Sequence, residues 1–346
     1  MSGPWQLAWK RLRADRLAMA ALALVCAFLL LVALSAAGLI AANWEDEVAV
    51  NYAPPTFVAQ SAGSDPAVEA RFVARTAGSD PVGSARFDPD LGNAEDPIRE
   101  DIAALKAELA QQGSAGPPVK VTSLPFGADK WGHDVLLKTI KGAETSIVVG
   151  LVAAVVAVCL GTLFGALAGF FGGVVDDLFT WFYSVFTSIP SILMILTVAA
   201  VLQQKGVLTI VLILGLTGWT GPYRLIRAEY IKHKAREYVM AADAIGASVA
   251  RRMFSHIFPN VSHVALVQVS ILVVGFIKAE VILSFLGFGV PVGTVSWGSM
   301  LNEAQNELIL GKWWQLAAAA GSMALLVTAF SIFTDALRDA LDPKIK

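Results

Sequence analysis

Apolar runs long enough to cross a bilayer recur along this chain, and they limit what it can fold into more than any other feature. A run of that length reads as a transmembrane helix. Of the 346 residues, 56% are hydrophobic and only 16% are charged, too apolar a balance for an ordinary soluble domain. The runs read as six spans, at about 17–42, 146–171, 178–202, 207–223, 261–286 and 315–333. The expected fold is an all-α membrane bundle.

Charge sets the orientation. Lys10, Arg11, Arg13 and Arg16 precede the first run, and cytoplasmic flanks are the basic ones. The run is longer than the roughly 7–15 apolar residues of a signal peptide, despite the small-residue step at Ala41-Ala42, so it is expected to stay as the first helix. The densest positive charge lies at 224–260, with Arg224, Arg227, Lys232, Lys234, Arg236, Arg251 and Arg252. That loop belongs in the cytoplasm by the same rule. Six spans then place both termini, 1–16 and 339–346, inside.

Residues 43–142 change character. Asp, Glu, Pro, Gly and Ser dominate, and the segment reads as an external insert. Within it Ala62-Gly63-Ser64-Asp65-Pro66 with Ala70-Arg71-Phe72 recurs as Ala77-Gly78-Ser79-Asp80-Pro81 with Ala85-Arg86-Phe87. Two copies are too few for a solenoid. Asp96-Pro97 carries an N-cap and a first-turn proline, and predicts a helix through Ile102, Leu105 and Leu109 to Gly113.

The basic stretch reads RLIRAEYIKHKAREYVMAADAIGASVARRMFSHIFPN. Val239, Ala242, Ile245, Val249, Met253 and Ile257 recur at helical spacing. Gly246 offers a turn without Cβ hindrance, and Pro259 is expected to end the pattern. Two short helices should meet near Gly246. Ala241 and Ala242 would let another surface approach the backbone. Periodicity and charge fit two roles, an amphipathic helix lying on lipid and a docking site for a protein.

Glu237-Tyr238-Val239-x-Ala241-Ala242-x-x-x-Gly246, followed by His256-Ile257-x-Pro259-Asn260, resembles the EAA loop of ABC importer permeases. More narrowly it is similar to the second permease subunit of the dipeptide/oligopeptide/nickel importers. Met240 stands where the general pattern has Glu, and His256 where it has an aliphatic residue. The entry to the core matches as well, through Gly127-Ala128-Asp129, Gly132-His133-Asp134-Val135 and Gly142-x-x-x-Ser146, and so does Ala279-Glu280 with Leu283-Ser284-Phe285-Leu286-Gly287-Phe288-Gly289. The resemblance implies a permease core at 143–338 and a coupling loop that seats in a groove of a cytoplasmic ATPase. Glu237, Tyr238, Ala241, Ala242, Gly246, His256, Pro259 and Asn260 would form that loop, with Val239, Ala242, Ile245 and Val249 as its docking face. It also implies a homologous permease partner, two ABC ATPase subunits that bind the ATP, a periplasmic or lipid-anchored solute-binding protein, and a bacterial inner-membrane location.

The spans add their own expectations. Ala153, Ala157, Gly161, Gly165 and Gly169 repeat every four residues and predict close helix packing. Pro190 should kink the third span, with the Ser188–Ser191 hydroxyls satisfying the freed carbonyl. Trp219, Tyr223, Trp297, Trp313 and Trp314 suit the membrane interface. Lys278 and Glu280 are two apart, so they point in different directions, with Glu280 expected to face protein. Pro190 and Glu280 are candidates for a gate or path. Residues 126–150 fit a gating elbow, a contact with the binding protein, or an interfacial helix entering the bilayer.

No G-x-x-x-x-G-K-[ST] occurs, so this chain has no phosphate loop of its own and no cofactor is expected in it. His133, His233, His256 and His263 are scattered without metal spacing, and Cys26 and Cys159 read as small hydrophobes. Catalysis and nucleic-acid binding are not expected. A metal cargo would be helped by convergent ligands near the path. The spans have none, which favours short peptides over nickel. A stand-alone channel or secondary transporter is the competing class, but it would usually show inverted halves or midplane charges.

Overall fold

The computed structural model describes residues 4–58, 120–291 and 293–341. The repeat at 62–87 and the expected helix at 96–113 lie outside the described residues. The chain divides into two compact units, Met1–Glu45 with Val135–Lys346, and Asp46–Asp134.

In the smaller unit the described residues form turns and isolated bridges around Ala49, Ala53 and Ala128. Asp129 organises them. Its fully buried carboxylate accepts from the backbone N–H of Trp131 at 2.8 Å and of His133 at 3.0 Å, and lies 2.9 Å from His133 Nδ1. Gly132 closes the loop at φ +90°, where a Cβ would collide with the Ala49 carbonyl oxygen. The Gly-Ala-Asp and Gly-His-Asp steps are therefore turn chemistry around one carboxylate.

Among the described residues the larger unit is built of helices joined by short turns. Helix α1 (Pro4–Ala14) leads into α2 (Arg16–Ala36), whose start is set by Asp15 accepting from the N–H of Leu17 and Ala18. Helix α2 packs on α3 (Val135–Phe171) and α11 (Trp314–Leu341). Helix α3 is one continuous helix of 37 residues, about 56 Å long at 1.5 Å per residue. It begins eleven residues before the expected span at 146, so the entry segment from Val135 onward is part of the central helix.

Two expected spans are broken. The third consists of α4 (Gly173–Thr187) and α5 (Ser191–Leu202), which meet at 84°. Pro190 thus starts a new helix where a kink was expected. It lacks the N–H that would continue α4. Ser188 Oγ donates to the Val185 carbonyl at 2.7 Å and Thr187 Oγ1 to that of Tyr183 at 3.0 Å, so hydroxyls do serve the broken end. The expected span at 207–223 divides at Gly218–Trp219 into α6 (Val207–Thr217) and α7 (Thr220–Lys234). Among the described residues, four helical runs are long and apolar enough to cross a membrane, or five with α4–α5 counted as one.

The remaining elements are α8 (Glu237–Ala244), a π-helical turn at Arg251–Ile257, α9 (Phe258–Phe285) running on from it, and α10 (Trp297–Ile309). Helix α10 starts at a capping box in which Ser296 and Ser299 serve each other's backbone N–H.

The core is organised along one face of α3. Gly142 faces α10, Gly150 faces α9, and Gly161, Gly165 and Gly169 face α7. A Cβ at Gly161 would fall 2.5 Å from the Trp219 carbonyl oxygen, and one at Gly165 would fall 2.8 Å from that of Tyr223. The opposite face, with Leu151, Val152, Val155 and Leu163, is exposed and suited to lipid. Trp219, Tyr223 and Trp297 are not interfacial as expected. Trp219 is 2% exposed and packs between Phe164, Phe182 and Phe186, while Trp297 is fully buried. Helix–helix packing claimed these rings because the small residues of α3 draw α7 and α10 in.

Replacing Gly165 with Ala should lower the stability of the purified chain in detergent by about 1–3 kcal/mol through overpacking. Gly275→Ala on α9, where a Cβ meets nothing within 4 Å, should be neutral or stabilising. Thermal unfolding midpoints check both, and equal shifts would refute the close contact.

Candidate functional site

The basic stretch folds as two helices about Gly246. Helix α7 carries it out of the bundle. Helix α8 follows one turn later with Glu237 in its first turn, where a carboxylate complements the helix dipole. Gly246 then takes φ +80° with open space around it, a conformation that a side chain resists. Arg252 pairs with Asp243 across this turn.

Pro259 does not end the helical run. The π turn at Arg251–Ile257 widens the ladder just before it, and Pro259 falls in the first turn of α9, where its missing N–H costs nothing. Tyr230 is fully buried and donates to the Met253 carbonyl of this turn at 3.2 Å. Asn260 Nδ2 donates to the His256 carbonyl at 2.8 Å.

The two halves of the motif meet at Tyr238. Its hydroxyl lies 2.8 Å from His233 Nδ1, with Asn260 Nδ2 at 3.5 Å, the outer limit of a hydrogen bond. Burial holds the His233 imidazole below its ordinary value. The other ring nitrogen, Nε2, lies 3.5 Å from Glu229 Oε2, so the imidazole sits between a hydroxyl and a carboxylate. His233 and Tyr230 carry no signal in the linear pattern, because their partners lie five and 23 residues away.

The expected docking face is divided. Val239 and Ala242 are buried in this chain, and Val239 packs with Ile226, Tyr230, Met253 and Ile257. They hold α8 to the bundle and are not available to a partner. Ile245, at 85% exposure, and Met240, at 55%, are left exposed, as is Ala241, while exposed Phe254 lies beside Leu163 and Ala166 of α3. Helical spacing alone cannot extend one face past Gly246, where the chain turns. Apolar Met240 and Ile245 are thus exposed on this stretch together with charged residues of both signs, Lys232, Arg236 and Arg251 and also Glu237 and Asp243. Lys234 and Arg252 flank the Phe170 ring at 5.6 and 5.7 Å, holding the stretch to the end of α3.

Glu280 lies in a second constellation, at the other half of α3. It is fully buried, while Lys278 is exposed. Ser146 Oγ donates to Glu280 Oε2 at 2.6 Å and Ser284 Oγ to Oε1 at 2.7 Å. The Trp297 N–H donates to Ser146 Oγ at 3.2 Å, and Trp297 Nε1–H to the Thr139 carbonyl at 3.1 Å. One carboxylate therefore joins α3, α9 and α10. Nearby, buried Lys138 donates to Glu303 at 2.6 Å, and Gln315 Nε2 donates to the same carboxylate at 3.2 Å, which adds α11. Among the described residues no group of three or more His, Cys, Asp or Glu is placed to hold a metal ion.

Comparison with known proteins adds family evidence at both ends of the chain. Residues 161–346, more than half of it, match the model of the binding-protein-dependent transport system inner membrane component. Residues 3–55 match that of the N-terminal TM domain of oligopeptide transport permease C. The oligopeptide transport system permease protein OppC of Bacillus subtilis is 36% identical over 221 residues, 64% of this chain and 72% of that protein. The dipeptide transport system permease protein DppC of the same organism is 36% identical over 64% of this chain and 69% of its own length. The dipeptide transport system permease protein DppC of Lactococcus lactis subsp. cremoris is 30% identical over 262 residues, 73% of this chain and 76% of that protein.

The Glu280 network makes a testable distinction. Glu280→Leu leaves the Ser146 and Ser284 hydroxyls without their acceptor, and should destabilise the chain by about 1–3 kcal/mol for each group stranded. Glu280→Gln keeps one acceptor oxygen and should cost less than half as much. Unfolding midpoints in detergent check the order, and a Gln variant as unstable as Leu would refute it.

Proposed function

This chain belongs to the family of binding-protein-dependent transport system inner membrane components, and from that premise we propose that it is the second permease subunit of an ATP-driven ABC importer of dipeptides or oligopeptides. The observation that carries the proposal is the segment 237–260. It exposes the large apolar side chains of Met240 and Ile245 on a short helix anchored to the bundle on its other side. A surface of that kind suits a groove in another protein better than solvent.

In this reading a homologous permease, two ABC ATPase subunits and a solute-binding protein complete the transporter. ATP is bound and hydrolysed by the partners, and this chain is not catalytic. Glu237, Tyr238, Ala241, Gly246, His256, Pro259 and Asn260 form or brace the coupling segment. Ala242 serves it from inside, on the buried side of α8. Movement of the ATPases displaces α8, and the helices switch access around a central path. The break at Pro190 supports a place on that path, because irregular backbone at membrane depth belongs in protein or beside water.

Counting α4–α5 and α6–α7 each as one broken span gives six, with both termini in the cytoplasm and residues 43–142 outside. The basic residues of α1 and of 232–252 support this orientation. The protein sits in the bacterial inner membrane.

Ile245→Asp puts a charge in place of this exposed apolar side chain without touching the bundle. It should reduce uptake by about tenfold or more, while the chain still inserts and folds. Uptake and ATPase co-purification measured together check this, and normal values of both would remove the coupling assignment. Substrate class is tested with the complete importer and its binding protein in liposomes. Saturable ATP-dependent uptake of labelled di- or oligopeptides is expected, and nickel uptake without peptide uptake would overturn the peptide reading.

A further inference from the structure

Helix α4 is attached to the bundle in an unusual way. None of its described residues is buried, and Val174, Leu178, Trp181 and Val185 form an exposed apolar strip, with Ile189 exposed just past its end. Its start is a pair of glycines, Gly172 at φ +69° and Gly173 at φ +52°, with nothing within 4 Å of a Cβ at either. Two glycines at positive φ in open space give the α3–α4 junction the backbone freedom that a hinge needs. Its far end is the 84° break into α5.

Among the described residues, the polar side-chain ties from α4 to another helix both run to α7. Arg227 holds Asp176 bidentately, Nε to Oδ1 and Nη2 to Oδ2 at 2.6 Å, and Tyr223 OH lies 3.3 Å from Thr180 Oγ1. Helix α7 is the element that leads into the coupling segment. It is seated on the glycines of α3 and holds α8 through Ile226 and Tyr230. Asp176 lies only a few residues past the hinge. A bidentate guanidinium–carboxylate pair fixes direction as well as distance, so displacement of α7 at Arg227 acts on α4 close to its pivot.

We propose that Arg227 and Asp176 are positioning residues, a strut that delivers movement of the coupling segment to the broken helix pair α4–α5 about the Gly172–Gly173 hinge. This rests on the reading of 237–260 as the coupling segment. A short arm beside the pivot turns a small shift of α7 into a larger sweep at the Pro190 break. The Trp219 ring also touches Phe182 and Phe186 of α4, an apolar contact that fixes direction less than a bidentate ion pair does.

The test uses the complete importer with its ATPases and binding protein, and reads ATP hydrolysis and uptake separately. Asp176→Asn and Arg227→Gln should each leave hydrolysis within about twofold and lower uptake per ATP by about tenfold or more, the loss of one charge-assisted fork. The exchange Asp176→Arg with Arg227→Asp should recover most of the uptake per ATP. Unchanged uptake per ATP in the single variants would overturn the strut. So would hydrolysis and uptake falling together without recovery in the exchange, which assigns the pair to folding alone.

A second readout does not depend on the substrate. Spin labels at Val185→Cys on α4 and Ala250→Cys beside the coupling turn are placed in a chain with Cys26 and Cys159 replaced. Their separation in the assembled complex should shift when an ATP analogue is added, and that shift should be lost or blurred by the Asp176→Asn change. Identical behaviour with and without that change overturns the strut. Absence of peptide uptake by the unaltered complex would count against the proposed substrate, and the label distances would still decide the strut.

Discussion

Gly161, Gly165 and Gly169 bring the backbone of α7 into atomic contact with α3, and the larger unit is arranged around that contact. Lipid offers no hydrophobic force to press two apolar helices together, so association relies on close van der Waals approach. Small residues at four-residue spacing permit it along a whole helix face. The consequence reaches both ends of α7. At one end Trp219 is drawn inside and gathers the Phe164, Phe182 and Phe186 rings. At the other, Tyr230 is buried deeply enough to reach the π turn and fix where the basic stretch leaves the bundle.

The other half of α3 uses a different device. Ser146, Glu280, Ser284 and the Trp297 N–H share one buried network across three helices. A buried carboxylate is costly without partners, and low polarity around it strengthens the hydrogen bonds it makes. The network therefore selects one register of α3, α9 and α10. Lys138, Glu303 and Gln315 extend the same logic to α11. One half of the central helix is set by shape and the other by polar pairing. The elements least constrained by either, α4 and α5, include the broken span.

Much of this was legible in the linear pattern. Apolar runs, the glycine ladder, the turn at Gly246 and the inward-facing Glu280 follow from local rules, because each depends on spacing along one helix or on the backbone freedom of one residue. Other expectations failed where the deciding partner is remote in sequence or the chain changes direction. Pro259 has the look of a helix end, but a π turn just before it absorbs its missing N–H. Ile245 and Val249 share a period with Val239 and Ala242, but the turn at Gly246 leaves them exposed. Trp219 and Trp297 suit an interface by residue type, and neighbouring helices buried them.

The sequence by itself determined that this is a helical membrane protein of the importer permease kind, with one densely basic segment and a central helix built for close packing. Those properties are carried by composition, period and motif, which need no partner to be read. Tertiary structure decided which apolar residues of the basic segment stay exposed, that the helices at 173–202 and 207–234 are interrupted, and that Arg227 of that segment grips Asp176 on another helix. Those depend on which surfaces meet after packing, and residues 51 positions apart have no common period to announce it.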